Sequence, residues 1–335
     1  MDDLFADAVK ALLTDHCTPA VVRAIEAGQP RAALWQALED AGFADALVPE
    51  SAGGAGLVLA DVYTVLELCG SFAVPVPVPL GETLLARGLM VHAGVAVPVG
   101  SVVFGMGQVA PDGRLHCAQV RCGTQADWVL VSCAGVCRLL SAADAQVQVA
   151  GFCLDAQMSW PVSAWDAAQP VPGTHDLVTL QAALYAAQLA GALMAVFSRT
   201  LQYANDRQQF GKPIGKFQAI QHQLSVMSEH AFAARMAAQL GLRSEGQVPD
   251  RLRVAMAKAR TSEAALEVAG LSHSIHGAIG FTREFDLQLY TRRLHAWRQA
   301  AGSESYWHDV LGQALLDGPE PMSLDLVRTL TDTVL

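Results

Sequence analysis

The chain has 335 residues, a length that suggests two or three domains at roughly 150 residues each. Hydrophobic residues make up 52% and charged residues only 16%, against about 25% in an ordinary soluble chain. That balance excludes a disordered chain and points to extensive burial, as in an oligomer with large apolar interfaces. The net charge of −10, with a pI near 5.4, excludes nucleic acid and an anionic membrane surface as main partners, since both select a basic face.

The chain opens Met1-Asp2-Asp3, which is neither a signal peptide nor a transit peptide. Residues 177–198 carry no charge and reach the roughly 20 residues that a spanning helix needs. They are rich in alanine and include Thr179, Gln181 and Gln188, so a buried helix is expected there and no membrane insertion. Seven cysteines are scattered along the chain. Cys117 with Cys122, and Cys133 with Cys137, lack the tight spacing of a zinc knuckle, and His116 is the only nearby histidine. Reduced, mostly buried thiols, no metal and a cytoplasmic address are expected.

Residues 1–97 read as an N-terminal helical domain. Segments 2–13, 19–27 and 30–41 carry apolar residues at three-to-four spacing, with Leu34, Leu38 and Ala41 on one face of the third. Thr18 suits a helix N-cap with Pro19 behind it, and Pro30 suits a first helical turn. A glycine-rich turn over 51–56 leads into a helix over 57–68. Three alternating prolines in 74–80 require extended backbone, and helix resumes over 84–92.

From 98 to 172 the period shortens. Segments 99–104, 115–120, 128–132 and 136–140 are β-prone runs separated by turn residues, which predicts a small middle antiparallel β domain. Residues 173–335 read as a C-terminal four-helix bundle, with helices over 177–204, 217–240, 249–275 and 285–300. The first is apolar nearly all round. The second carries a stripe of Ile220, Leu224, Met227, Ala231 and Ala234. The fold class is therefore α+β and mostly α, in the order helices, small sheet, bundle.

No Gly-x-Gly-x-x-Gly loop follows a strand, and neither a Gly-x-Ser-x-Gly elbow nor a His-Glu-x-x-His helix is present. Two segments carry chemistry. In the loop 206–218, Arg207, Lys212 and Lys216 suit a pyrophosphate and Phe210 suits an adenine face. The same loop also reads as a solvated connection in which Phe210 and Phe217 staple two helices. In 276–282, Gly277 and Gly280 permit a ligand to approach backbone amides, and they equally suit a helix C-cap.

Three stretches together resemble the acyl-CoA dehydrogenase family across nearly the whole chain. They are Leu47-Val-Pro-Glu-Ser-Ala-Gly-Gly-Ala-Gly-Leu57, Arg207-Gln-Gln-Phe-Gly-Lys-Pro-Ile with Phe217-Gln218, and His276-Gly-Ala-Ile-Gly-Phe-Thr-Arg-Glu284. The resemblance implies an α–β–α architecture, FAD bound between subunits, and desaturation of an acyl-CoA thioester across Cα and Cβ. It implies that Arg207, Phe210, Phe217, Gln218, Ser274, Gly277 and Gly280 contribute to a cofactor site reaching a neighbouring subunit's FAD. Ser274 stands where most members have a glutamine, and Ala278 where they have a second glycine. Electron-transfer flavoprotein is the electron acceptor that the resemblance implies.

The departures concern the base. Removing an α-proton requires a carboxylate. Most members place a glutamate just before a Gly-Thr pair after the last bundle helix, where this chain has Ala301-Gly302-Ser303. Others place it on the first bundle helix, at a position that matches Gln181. The family's Thr-Glu-Pro…Gly-Ser stretch and its tryptophan-bearing flavin strand are also missing from the middle region. This pattern resembles the short degenerate subunit of heteromeric bacterial steroid-type acyl-CoA dehydrogenases. It implies a heterotetramer in which the chain completes the FAD site of a catalytic, paralogous partner, with a steroid side-chain CoA ester as substrate. A homomeric dehydrogenase using Glu304 or Asp176 as its base, and a structural homologue that has lost FAD, are the alternatives.

Overall fold

A computed structural model describes residues 2–74, 80–150, 154–244, 246–319 and 322–332. The expected extended proline segment over 74–80 lies largely outside the described residues. Contacts within the chain group it into two compact units. The first comprises Met1–Val62, Val74–Gln181 and Glu245–Gln247, and the second Tyr63–Ala73, Ala182–Ser244 and Val248–Leu335.

The first unit opens with α1 (Asp2–His16), α2 (Pro19–Glu26) and α3 (Ala32–Asp40). Thr18 caps α2 by accepting from the Val21 amide at 3.4 Å, with Pro19 in the first turn. Helix α3 starts two residues after Pro30, with Arg31 as its N-cap residue, whose carbonyl accepts from the Trp35 amide at 3.0 Å. Its guanidinium donates to the Gln125 carbonyl at 2.6 Å and to Ser101 Oγ at 3.1 Å, tying the helix to the strand region. Helix α4 (Leu59–Ser71) begins in this unit and continues into the second, and α5 (Leu80–His92) lies wholly in the first.

The sheet has seven strands, β1 (Val102–Val109), β2 (Arg114–Val120), β3 (Trp128–Cys133), β4 (Val136–Ser141), β5 (Gln146–Val149), β6 (Ala156–Pro161) and β7 (Gln169–Val171), with α6 (Val162–Ala167) after β6. Their spatial order is β5-β6-β2-β1-β3-β4-β7. Every pair is antiparallel, as expected, except β1 with β3. That one parallel pair arises because β2 turns back along one edge of β1 and the chain then crosses to its other edge. Val103, Leu115, Val129, Leu140, Met158 and Trp160 fill one core of the sheet. Helix α5 binds the backbone of the central strand directly. Thr83 Oγ1 accepts from the Val102 amide at 3.0 Å and donates to its carbonyl at 3.1 Å, while Glu82 Oε2 accepts from the Phe104 amide at 3.0 Å.

The second unit is helical. Helix α7 (Leu177–Asp206) is followed by a two-strand ribbon of β8 (Gln208–Gln209) and β9 (Lys212–Pro213). Then come α8 (Gln218–Gly241), α9 (Arg251–His276), α10 (Leu287–Gln299), α11 (Glu304–Asp317) and α12 (Ser323–Thr331). The four expected bundle helices are present, and α11 and α12 extend them. Asp250 caps α9 by accepting from the Arg253 amide at 2.8 Å. Helix α7 is long and apolar enough to cross a membrane by length and composition, yet 72% of its most apolar stretch is buried within the chain. The six described cysteines are free and buried, and Cys153 lies outside the described residues.

Two glycines set how closely α4 and α7 approach inside this unit. A Cβ on Gly191 would stand 1.9 Å from the Glu67 carbonyl oxygen, and one on Gly70 would stand 1.9 Å from that of Gln188. Ser71 Oγ donates across the same crossing to the Gly191 carbonyl at 3.2 Å. Backbone sits where the extra methyl would go, so a flexible side chain cannot yield. Gly191→Ala should therefore cost about 3 kcal/mol or more, read as a lowered urea midpoint with an unchanged slope.

Candidate functional site

The Arg207 loop is built at the end of α7. The Arg207 amide donates to the Tyr203 carbonyl at 2.8 Å and its carbonyl accepts from the Ile214 amide at 2.8 Å, which closes the ribbon. Phe210 and Gly211 form the two-residue tip, with φ of 51° and 77°. A tight hairpin tip of this kind needs positive φ at both positions, which glycine adopts freely and phenylalanine does not. Phe210 pays that strain and is 91% exposed. It meets Phe217 edge-on, with centroids 6.2 Å apart, a contact that leaves most of its ring in solvent. Lys212 Nζ stands 4.4 Å from the Phe217 ring centre. Arg207 is exposed, and its guanidinium has no side-chain partner among the described residues. Gln218 is the exposed first residue of α8.

The second segment closes α9. Gly277 adopts φ 65° and ψ −146°, a region open in practice only to glycine, and the chain continues as a short 3₁₀ turn, Gly277–Phe281. Gly280 is buried against His276 and His273. Ser274 is exposed and its hydroxyl accepts from Gln223 Nε2 at 3.2 Å. Tyr203 joins the two segments. Its ring stacks on His276 with centroids 4.3 Å apart, and its hydroxyl donates to the His276 carbonyl at 3.4 Å. Tyr203 lies one helical turn before Arg207, so this stack fixes the root of the loop against the turn. Nothing in the sequence marked Tyr203, which reads as one more apolar residue of a buried helix.

His276 is 4% exposed. Its Nδ1–H donates to the Ser272 carbonyl at 2.8 Å, which leaves Nε2 as a buried acceptor with no partner among the described residues. Burial holds its pKa below the ordinary value, opposed by the Ser272 carbonyl. His273 is lowered too, by burial and then by His276 and His295. Its ring stacks on Phe281 at 4.1 Å.

The base positions are neutral. Ala301 sits at φ 52° with its carbonyl accepting from Trp307 Nε1 at 2.9 Å. The turn behind it is held by Lys258, fully buried, whose ammonium donates to Ser262 Oγ, the Arg298 carbonyl and the Gly302 carbonyl at 2.9, 2.8 and 3.0 Å. Glu304 is ion-paired with Arg298. Burial raises its pKa, but the backbone amide, Arg298 and Lys258 together lower it by more, and a carboxylate so stabilised is a weak proton acceptor. Gln181 donates from Nε2 to the buried Glu82 carboxylate at 3.0 Å. Asp176 caps α7, accepting from the Thr179 amide at 3.0 Å and the Thr179 hydroxyl at 2.6 Å. No group of three or more potential metal ligands occurs among the described residues.

The two histidines make the turn pH-sensitive. Their folded pKa values lie below the unfolded value of about 6.5, so the unfolded chain binds more protons as acid is added. Stability is then complete above about pH 6.5 and declines as pH falls through it. Urea midpoints should drop between pH 7.5 and 5.5, and His276→Phe, which keeps a stacking ring but cannot titrate, should flatten that decline. An equal decline in this variant would locate the effect elsewhere.

Comparisons with known proteins follow the same outline. The pattern of the acyl-CoA dehydrogenase N-terminal domain matches residues 2–95, and that of the C-terminal domain matches residues 177–316. Acyl-CoA dehydrogenase IpdE2 of Mycolicibacterium smegmatis is 31% identical over 325 residues, covering 90% of this chain and 94% of the relative. Its Mycobacterium tuberculosis counterpart is 30% identical over 315 residues, covering 88% and 91%. In structure, the chain superposes on a chain of the ChsE4-ChsE5 complex from Mycobacterium tuberculosis with a TM-score of 0.84 at 23% identity, covering 95% and 98%. Butyryl-CoA dehydrogenase from Megasphaera elsdenii gives a TM-score of 0.78 at 19% identity, covering 94% and 98%. With a full-length relative above 30% identity and a fold shared from end to end, the chain belongs to the acyl-CoA dehydrogenase family.

Proposed function

We propose that the chain is a subunit of an FAD-dependent acyl-CoA dehydrogenase that desaturates an acyl-CoA thioester and completes the FAD site of a catalytic, paralogous partner. The observation that carries this reading is the tip of the Arg207 loop. Phe210 is held in a strained backbone conformation with its ring in solvent, and the guanidinium of Arg207, at the root of the same loop, has no side-chain partner among the described residues. Strain and exposure of this kind persist where a ligand or partner uses them.

These residues fit the dinucleotide end of FAD. Arg207 would pair with a pyrophosphate, Phe210 would lie against the adenine, and Gly277 would let the ligand approach backbone. Phe217, Gln218, Ser274 and Gly280 would complete the cradle, with Ser274 oriented by Gln223. Bound FAD supplies the two-electron acceptor for the β-hydride. This chain's own part is to bind and orient that cofactor, because Ala301 and Gln181 cannot accept a proton from carbon. A heteromeric assembly is supported by the likeness to the ChsE4-ChsE5 complex and to the Tcur3481-Tcur3483 steroid ACAD, which matches with a TM-score of 0.80 at 24% identity. A steroid side-chain CoA ester is the substrate this suggests. Electron-transfer flavoprotein is the corresponding acceptor, and a cytoplasmic setting suits six buried free thiols.

Two measurements on the reconstituted complex test the reading. Arg207→Ala should weaken FAD retention roughly ten- to hundredfold, the loss expected for one or two charge-assisted bonds. An unchanged flavin-to-protein ratio after dialysis would refute the assignment. Glu304→Gln and Asp176→Asn should each change kcat by less than about threefold, whereas losing a general base costs roughly 10²–10⁴-fold. A hundredfold loss with FAD still bound would place proton removal in this chain.

A further inference from the structure

One pair of rings stands behind both segments of the candidate FAD site. Tyr203 lies in the last turn of α7, and its carbonyl accepts from the Arg207 amide at 2.8 Å. Its ring stacks on His276, which is bonded directly to Gly277. Phe285 closes the cluster, with its ring centre 5.2 Å from that of His276 and 6.1 Å from that of Tyr203. A shift of the pair therefore moves the Arg207 loop and the Gly277 turn together.

The proton state of His276 decides whether the pair holds. Its Nδ1–H donates to the Ser272 carbonyl, so the neutral ring carries its lone pair at Nε2, which is buried and has no partner among the described residues. A buried neutral acceptor without a partner is tolerated at some cost, but a buried cationic donor without one costs far more. The stack offers that donor nothing. The two rings are inclined by only 24°, so an Nε2–H bond lies in the imidazole plane and points past the Tyr203 face. The other groups against the ring are Phe285, Gly280 and, on its own helix, Ser272 and His273. His273, and His295 on α10 beyond it, add positive charge in acid. Asp286 is paired with Arg199 at 3.6 Å, and Arg283 and Glu284 are exposed. No carboxylate bonds the His276 ring among the described residues.

We propose that the Tyr203–His276 pair is a proton-operated latch on the FAD site: loop and turn hold the cofactor while His276 is neutral and release it when Nε2 takes up a proton. Both are positioning residues, acting through Arg207 and Gly277. The latch is a regulation of the FAD site read from the Arg207 loop, and it rests on that reading. Burial keeps the His276 pKa below its ordinary value of about 6.5. The holding state therefore binds fewer protons than the released state, and retention is complete above that pH and declines below it.

FAD retention by the reconstituted complex tests this, read as flavin released on dialysis at pH values between about 7.5 and 5.5, on either side of the histidine range. Circular dichroism at each pH establishes that the chains stay folded. The Kd for FAD should be constant down to about pH 6.5 and then rise, by up to about tenfold per pH unit for a single proton. His276→Phe, which keeps a stacking ring without a titrating nitrogen, should flatten the profile. Tyr203→Leu, which removes the stack, should weaken FAD about tenfold at pH 7.5 and flatten the profile as well, whereas Tyr203→Phe and His273→Gln should keep it. A flat profile in the parent, a profile that persists in folded His276→Phe and Tyr203→Leu, or one that is lost in His273→Gln instead would each overturn the latch. If Arg207→Ala leaves FAD retention unchanged, the FAD reading itself fails. If Arg207→Ala weakens retention while the pH profile survives His276→Phe, only the latch fails.

Discussion

The architecture of the first unit depends on a row of polar side chains buried along α5. Glu82, Thr83 and Arg87 are 4%, 0% and 4% exposed, and each satisfies backbone or charge that would otherwise be stranded. Thr83 and Glu82 serve the amides of Val102 and Phe104 on the central strand. Arg87 reaches Asp45, Glu39 and the Gly100 carbonyl at 3.0, 2.8 and 2.9 Å. A buried donor or acceptor left unpaired costs about 1–3 kcal/mol, so these contacts fix one register of helix against sheet. Apolar packing alone would tolerate several. Glu82 then extends the same network to Gln181 at the start of α7.

In the second unit the fixed points are aromatic and cationic. The Tyr203–His276 stack anchors the loop root to the turn, and Lys258 holds the carbonyls at the end of α10. A lysine buried with three acceptors for its three protons leaves no donor unmet, which is how such a charge is tolerated in a core. Around these rigid points the tip residues are free to face outward. Rigidity behind and exposure in front are what a contributed binding element requires. Phe210 stands in solvent although that placement costs backbone strain.

Length, periodicity and turn chemistry carried the fold class. The change from a 3.6 period to alternation and back marks helices, sheet and bundle, because each period states which face must be buried. Thr18 and Gly277 are readable for the same reason, since capping and positive φ are local demands. The neutral residues at Ala301 and Gln181 also stand in the sequence, once the resemblance supplies the positions to inspect. The additional helix α12 was not legible, because a short amphipathic segment near a chain end differs little from a loop in composition.

What the sequence could not decide are contacts between residues far apart along the chain. Gln181 and Glu82 are 99 residues apart, Tyr203 and His276 73, and Lys258 and Gly302 44. No local pattern records such a pairing, because a buried polar contact depends on the path of every element between its two ends. Exposure is undecidable for the same reason: Phe210 and Trp160 are both large aromatics, yet one is 91% exposed and the other 0%. The sequence determined the order of helices, sheet and bundle and that the chain carries the family's loop and turn. The tertiary structure decided that Glu304 is tied to Arg298 and how much of α7 is buried within its own chain. Burial and partnership are properties of the folded assembly of elements, and periodicity specifies only the elements.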